Sequence, residues 1–189
     1  MDEIKSLRNE IKKSASPQKA KILQKFFKTG KGQYGEGDIF IGIMVPESRK
    51  ISKKYLNLTL KEILILLSSK IHEERLICLL ILVDKFKKAT QNEQEKIFRC
   101  YIKHAKRINN WDLVDLSAPN IPGTYLLGTQ DREILYQLAR SDNIWKKRIS
   151  IVATFTFIRN TQFDDTLRLA KILIFDNHDL IHKAVGWML

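Results

Sequence analysis

The chain has 189 residues, enough for one domain with a sizeable core and too few for two comfortable ones. Lys and Arg number 33 against 21 Asp and Glu, a formal charge of +12, which points to an anionic partner, nucleic acid before an anionic membrane surface. The apolar runs at 63–67 and 76–83 are far short of the roughly 20 residues of a membrane span, and the polar start Met1-Asp2-Glu3-Ile4-Lys5 is not a secretory signal. With two cysteines only, Cys78 and Cys100, each in an apolar helical pattern and read as core filler, the expectation is a reduced cytoplasmic protein.

Residues 1–13 place Ile4, Leu7 and Ile11 at helical spacing. Ser16-Pro17 opens a second helix with proline at its first position, running to about Lys28. Its pattern predicts Ala20, Ile22, Leu23, Phe26 and Phe27 facing inward and Lys19, Lys21, Lys25 and Lys28 facing out. Four glycines between Thr29 and Gly37 mark a loop, without the Gly-Lys-Ser/Thr ending of a phosphate cradle. Pro46 opens a helix to about Asn57. Thr59-Leu60-Lys61-Glu62 is a capping box and starts another, to about Lys70. Further helices are predicted over 72–87, from Asn92 with Glu95 as cap to about Lys106, and over 110–119, 131–140, 142–158, 163–175 and 178–189. No stretch alternates as a strand, so the class is all-α.

The helices come in pairs, and a repeat appears when Ile71-His72-Glu73-Glu74-Arg75-Leu76 is laid on Ile144-Trp145-Lys146-Lys147-Arg148-Ile149. Arg75, Trp111, Arg148 and Lys183 then recur at intervals of 36, 37 and 35 (111−75, 148−111, 183−148), slightly short of the period of an α-solenoid of the HEAT or armadillo sort, a fold whose stacked helices would form a basic concave groove.

The stretch Asn109-Asn110-Trp111-Asp112-Leu113-Val114-Asp115-Leu116-Ser117-Ala118-Pro119 is the candidate for chemistry. With Asn109 or Asn110 as N-cap, Trp111 and Asp115 lie four residues apart on one helix face. Asp112 fits the macrodipole near the helix start better than Asp115 does. By the repeat register, Trp111, Asp115, Arg148 and Trp187 can line one surface. Trp145 reads as core, and Arg75, flanked by Glu73 and Glu74, as a member of ion pairs between helices. His178 and His182 are spaced for one metal but lack a third ligand, and no Ser/His/Asp or Cys/His constellation can be picked out.

The central stretch, Trp145-Lys146-Lys147-Arg148-Ile149-Ser150-Ile151, Lys183-Ala184-Val185-Gly186-Trp187 and Asp38-Ile39-Phe40-Ile41-Gly42-Ile43-Met44-Val45-Pro46 together resemble the DNA alkylation repair proteins of the AlkD type. The resemblance covers nearly the whole chain. It implies one HEAT-like domain over 1–189 and a monofunctional glycosylase, a monomer without metal or nucleotide cofactor. Its substrate would be double-stranded DNA containing N3- or N7-alkylated purines, with the base not extruded. It implies Asp115 as the catalytic carboxylate, Trp111 and Trp187 flanking the sugar of the lesion, and Arg148 supporting the DNA backbone; Lys147 beside it is a further DNA-binding candidate. Members of the family continue through further helices where this chain stops, two residues beyond Trp187, so C-terminal helices are expected to be missing at a cost in DNA grip or stability. The rival reading is a non-catalytic nucleic-acid-binding or protein-interaction solenoid.

Overall fold

The computed structural model describes residues 2–189. Among the described residues there is no strand, only a lone parallel bridge between Ile39 and Ile71, and the architecture is the helix-pair stacking of the α-solenoid class. Helix packing divides the chain into two compact units, 1–88 and 89–189.

The first unit contains α1 (Asp2–Lys13), α2 (Pro17–Phe26), α3 (Val45–Lys54), α4 (Leu60–Leu67) and α5 (His72–Lys88). Helix α5 is its centre: residues 72–83 are buried on every side, and α3 and α4 pack against it. Burial all round forces the polar first turn of α5 to find partners, since an unpaired interior charge costs several kcal/mol (order of magnitude). Glu73 accepts from the backbone N–H groups of Ile41, Gly42 and Ile43 at 3.1, 2.8 and 3.3 Å. Glu74 takes Arg8 of α1 at 3.1 Å, joining two helices. Arg75 pairs instead with a loop residue, Asp38, at 2.7 Å, and donates to the Ser69 carbonyl at 2.9 Å.

Helix α1 buries Ile4, Leu7 and Ile11 as its spacing predicts, and Thr59 and Glu62 form the expected capping box of α4. Helix α2 begins at Pro17 as predicted but does not turn its apolar residues inward: Ile22 is 65% and Phe26 61% exposed, and none of its residues is buried. The reason lies in the segment that follows. The backbone of residues 38–42 runs along the Ser16-Ala20-Gln24 stripe of α2, with the Ser16 N–H on the Ile41 carbonyl and the Gln24 side chain bridging the Asp38 carbonyl and the Phe40 N–H. Gly42, at φ 90°, lets that backbone come so close that a Cβ there would stand 2.1 Å from the Ser16 carbonyl oxygen. Small and polar side chains thus make the contact, and the apolar positions 22 and 26 are left facing out. Phe27, just beyond the helix, is buried and stacks on Phe40.

The second unit runs through α6 (Gln91–Lys103), a 3₁₀ turn (Ala105–Arg107), α7 (Trp111–Ser117), a π-helical turn (Pro119–Gly123), α8 (Thr124–Leu127), α9 (Glu133–Ala139), α10 (Ile144–Ala153), α11 (Phe155–Arg159), α12 (Asp164–Leu173) and α13 (Asp179–Met188). Helix α6 is capped two residues earlier than expected: the capping box is Thr90 with Glu93, and Glu95 pairs with Arg99 four residues on. The predicted helix over 142–158 is interrupted at Thr154, whose hydroxyl donates to the Ile151 carbonyl at 2.7 Å, and α11 follows and contributes residues to the site described below. Helices α7, α10 and α13 pack side by side with α10 in the middle, and α9 and α12 pack on each other and on α10. Positions 111, 148 and 183 therefore do lie on successive stacked helices in this unit.

Candidate active site

Helix α7 is only two turns long, so its placement depends on its ends and its inward face. Asn110 caps it, its side-chain oxygen accepting from the Trp111 N–H at 2.9 Å, and Leu113 and Val114 are fully buried. That orientation leaves Asp115 half-buried, with its carboxylate toward α10. There it meets Arg148, which is 5% exposed. Arg148 Nε donates to Asp115 Oδ1 at 2.9 Å and Nη2 to Oδ2 at 2.8 Å, a two-point fork, while Nη1 donates to the Leu180 carbonyl of α13 at 2.6 Å. One guanidinium thus locks three stacked helices together and fixes the carboxylate in one plane. Burial pushes the Asp115 carboxyl above its ordinary range, and the hydrogen bonds and charge of Arg148 oppose that rise.

Asp115 borders an open cleft of about 490 Å³ whose lining includes Asn120, Thr156, Arg159, Asn160 and the aromatic pair Phe155 and Trp187. Trp187 is 51% exposed and stacks on Phe155 with ring centroids 5.6 Å apart. The floor is set by the π-helical turn: the Pro119 carbonyl accepts from both Thr156 at 2.6 Å and Thr124 at 3.2 Å, which ties the turn to α11 and α8. A cleft of this make-up offers aromatic faces, neutral hydrogen-bonding groups, one fixed anion and one exposed cation.

Of the four residues that the register places on one surface, Asp115 and Trp187 line the same cleft. Trp111 is half-buried at the head of α7, one turn before Asp115, and is not among the described residues lining the cleft. Arg148 lies beneath the site rather than reaching outward, with each terminal nitrogen already engaged within the protein. Lys147 is likewise committed, its Nζ 2.6 Å from Asp176 Oδ2. Trp145 is core, as expected. His178 caps α13 through its ring nitrogen, and among the described residues no group of three potential metal ligands occurs. Phe155, Arg159, Asn120 and Asn160 were not singled out from sequence. The signal available for two of them was an aromatic and a cation four residues apart, Phe155 and Arg159, at the start and end of α11.

A family model described as DNA alkylation repair enzyme matches residues 7–189. The chain belongs to the DNA alkylation repair enzyme family. Membership gives it a role in DNA alkylation repair, with DNA as substrate. The solved structure of a predicted DNA alkylation repair enzyme from Enterococcus faecalis is similar in fold, with a TM-score of 0.68 and 16% identity over 93% of this chain and 81% of that one. No curated protein matches in sequence. The match to this repair family spans every motif that carried the resemblance, and the Asp115 cleft lies wholly within it. Among the described residues of this family member no helix is long and apolar enough to cross a membrane.

Proposed function

We propose that this repair enzyme is a monofunctional glycosylase that hydrolyses the N-glycosidic bond of N3- and N7-alkylated purines in duplex DNA without extruding the base. The observation that carries the reading is the Asp115 carboxylate held by Arg148 at the border of an open cleft beside an exposed indole.

An alkylated purine is cationic, so its bond to C1′ is weak and the base departs neutral, without protonation by an acid. Positive charge develops on the sugar as the C1′–N bond breaks. Asp115 stabilises that charge, and because each carboxylate oxygen has a second lone pair besides the one taken by Arg148, it can also accept from a water. The water oxygen bonds to C1′ and its proton passes to the carboxylate or to solvent. The face of Trp187 attracts the cationic sugar through its quadrupole, with Trp111 one turn before the acid as the second indole. Arg148 acts through Asp115, holding it ionised and oriented, and Lys147 supports the adjoining turn through Asp176.

The two-point ion pair also favours a second reading, in which Asp115 and Arg148 only clamp α7 to α10 and the chain binds nucleic acid without turnover. Release of N7-methylguanine from methylated duplex DNA at low salt separates the two. Release by the parent chain and its loss in Asp115→Asn, with DNA binding retained, supports the glycosylase. Binding by the parent without release of base would falsify it.

A further inference from the structure

Sequence reading assigned the phosphate contacts of the site to Arg148 and Lys147, and both side chains are spent on internal carboxylates. The same holds elsewhere in the second unit for Arg132 with Asp165. Arg159 is different. It is exposed at the end of α11, borders the same cleft as Asp115, Phe155 and Trp187, and is the sole cation among the described residues lining it. No carboxylate of the described residues lies within ion-pair distance of it. Its guanidinium carbon sits 5.8 Å from the centroid of the Phe155 ring, at the outer limit of a cation–π contact, and Phe155 in turn stacks on Trp187. The three side chains form a ladder along one wall of the cleft, with the charge at one end and the indole at the other.

We propose that Arg159 grips a DNA phosphodiester at the cleft and so positions the neighbouring sugar against Trp187 and Asp115. A guanidinium laid along a ring loses less freedom on binding than a lysine would, and its fork fits two phosphate oxygens at once. An exposed arginine with no internal carboxylate also incurs no cost of breaking an existing pair when a phosphate arrives. The inference rests on the repair reading only for the identity of the anion as DNA phosphate; it does not require base release.

The test is binding of the full chain to undamaged duplex DNA, followed by fluorescence anisotropy across a salt series, for the parent, Arg159→Gln and Arg159→Lys. A residue that neutralises one phosphate contributes about 0.9 to the slope of log affinity against log salt. Arg159→Gln is expected to weaken binding about equally on unrelated sequences and to lower that slope by roughly one, while Arg159→Lys keeps the slope. Thermal melting of each variant should match the parent, because the side chain has no buried partner to lose. An unchanged slope in Arg159→Gln, or no binding of duplex by the parent, overturns the proposal. Absence of base release with the slope change intact would instead fall on the glycosylase reading alone.

Discussion

Arg148 holds Asp115 by both carboxylate oxygens while its remaining nitrogen reaches the Leu180 carbonyl, so that one buried cation joins α7, α10 and α13 and presents an anion to the cleft. The placement of that anion and the stacking of this unit therefore depend on the same side chain.

Arg148→Met is expected to destabilise the protein by about 3–5 kcal/mol, the usual cost of removing one partner of a buried ion pair. Asp115→Asn keeps an acceptor for one nitrogen of the fork and should cost less. Urea denaturation of both variants checks the order. Arg148→Lys retains charge but not the fork, and should lose base release well beyond its loss of stability; equal base release by Arg148→Lys and parent would show that the two-point geometry is unimportant.

The pH dependence of Asp115 has opposite signs for stability and for chemistry. Burial raises its carboxyl above the ordinary value of 3.8, against the pull of Arg148. A raised acid favours the fold in its protonated form, so its contribution is fully present below 3.8 and is lost as pH rises through the folded value. The parent should therefore lose stability relative to Asp115→Asn as pH rises from the ordinary carboxylate value through the raised folded one. Base release needs the carboxylate and should rise over the same interval. Melting curves and single-turnover release measured on one pH series would contradict this if the two quantities moved in the same direction.

In the first unit, Glu73 has the comparable structural role, since it alone answers three consecutive backbone N–H groups, those of Ile41, Gly42 and Ile43. Glu73→Ala leaves them without an acceptor and should cost about 3 kcal/mol or more, at roughly 1–3 kcal/mol per buried orphan. Glu73→Gln, which keeps one carbonyl oxygen, should cost less than half as much. Faster amide exchange at Ile41 to Ile43 in the alanine variant is the local readout, and protection equal to the parent would remove this account of the loop.

How much of this could be read in advance follows from what sequence periodicity encodes. Apolar spacing records which residues of a helix meet a core, so α1, α5 and the stack of α7, α10 and α13 were legible, and so was Asp115 beside a repeat arginine. The direction of that arginine was not. In Lys146-Lys147-Arg148 successive side chains diverge by about 100° around the helix, and nothing in a run of cations says which one points inward. Nor does apolar spacing anticipate contacts made by backbone: α2 looked amphipathic toward Ile22 and Phe26, yet the segment at Gly42 docks on Ser16 and Ala20. The break at Thr154 and the π-helical turn were hidden for a related reason. Both are set by hydrogen bonds that depend on neighbouring helices, as with Pro119 and Thr156.

Gly123 shows how closely that turn is fitted to the site. A Cβ added there would stand 2.4 Å from the Ala153 carbonyl oxygen and 2.9 Å from Thr156 Oγ1. The oxygen belongs to the backbone at the end of α10 and cannot swing aside, so Gly123→Ala must push the turn away from α10 and α11. The cost should be about 1–3 kcal/mol, as for other overpacked contacts. The displacement falls on Pro119, Asn120 and Thr156, which line the cleft, and spares the Asp115–Arg148 pair. Gly123→Ala is therefore expected to keep the pH profile of base release while raising the DNA concentration needed for half-maximal rate. A shifted pH profile with unchanged concentration dependence would mean that the turn acts on the carboxylate rather than on the shape of the cleft.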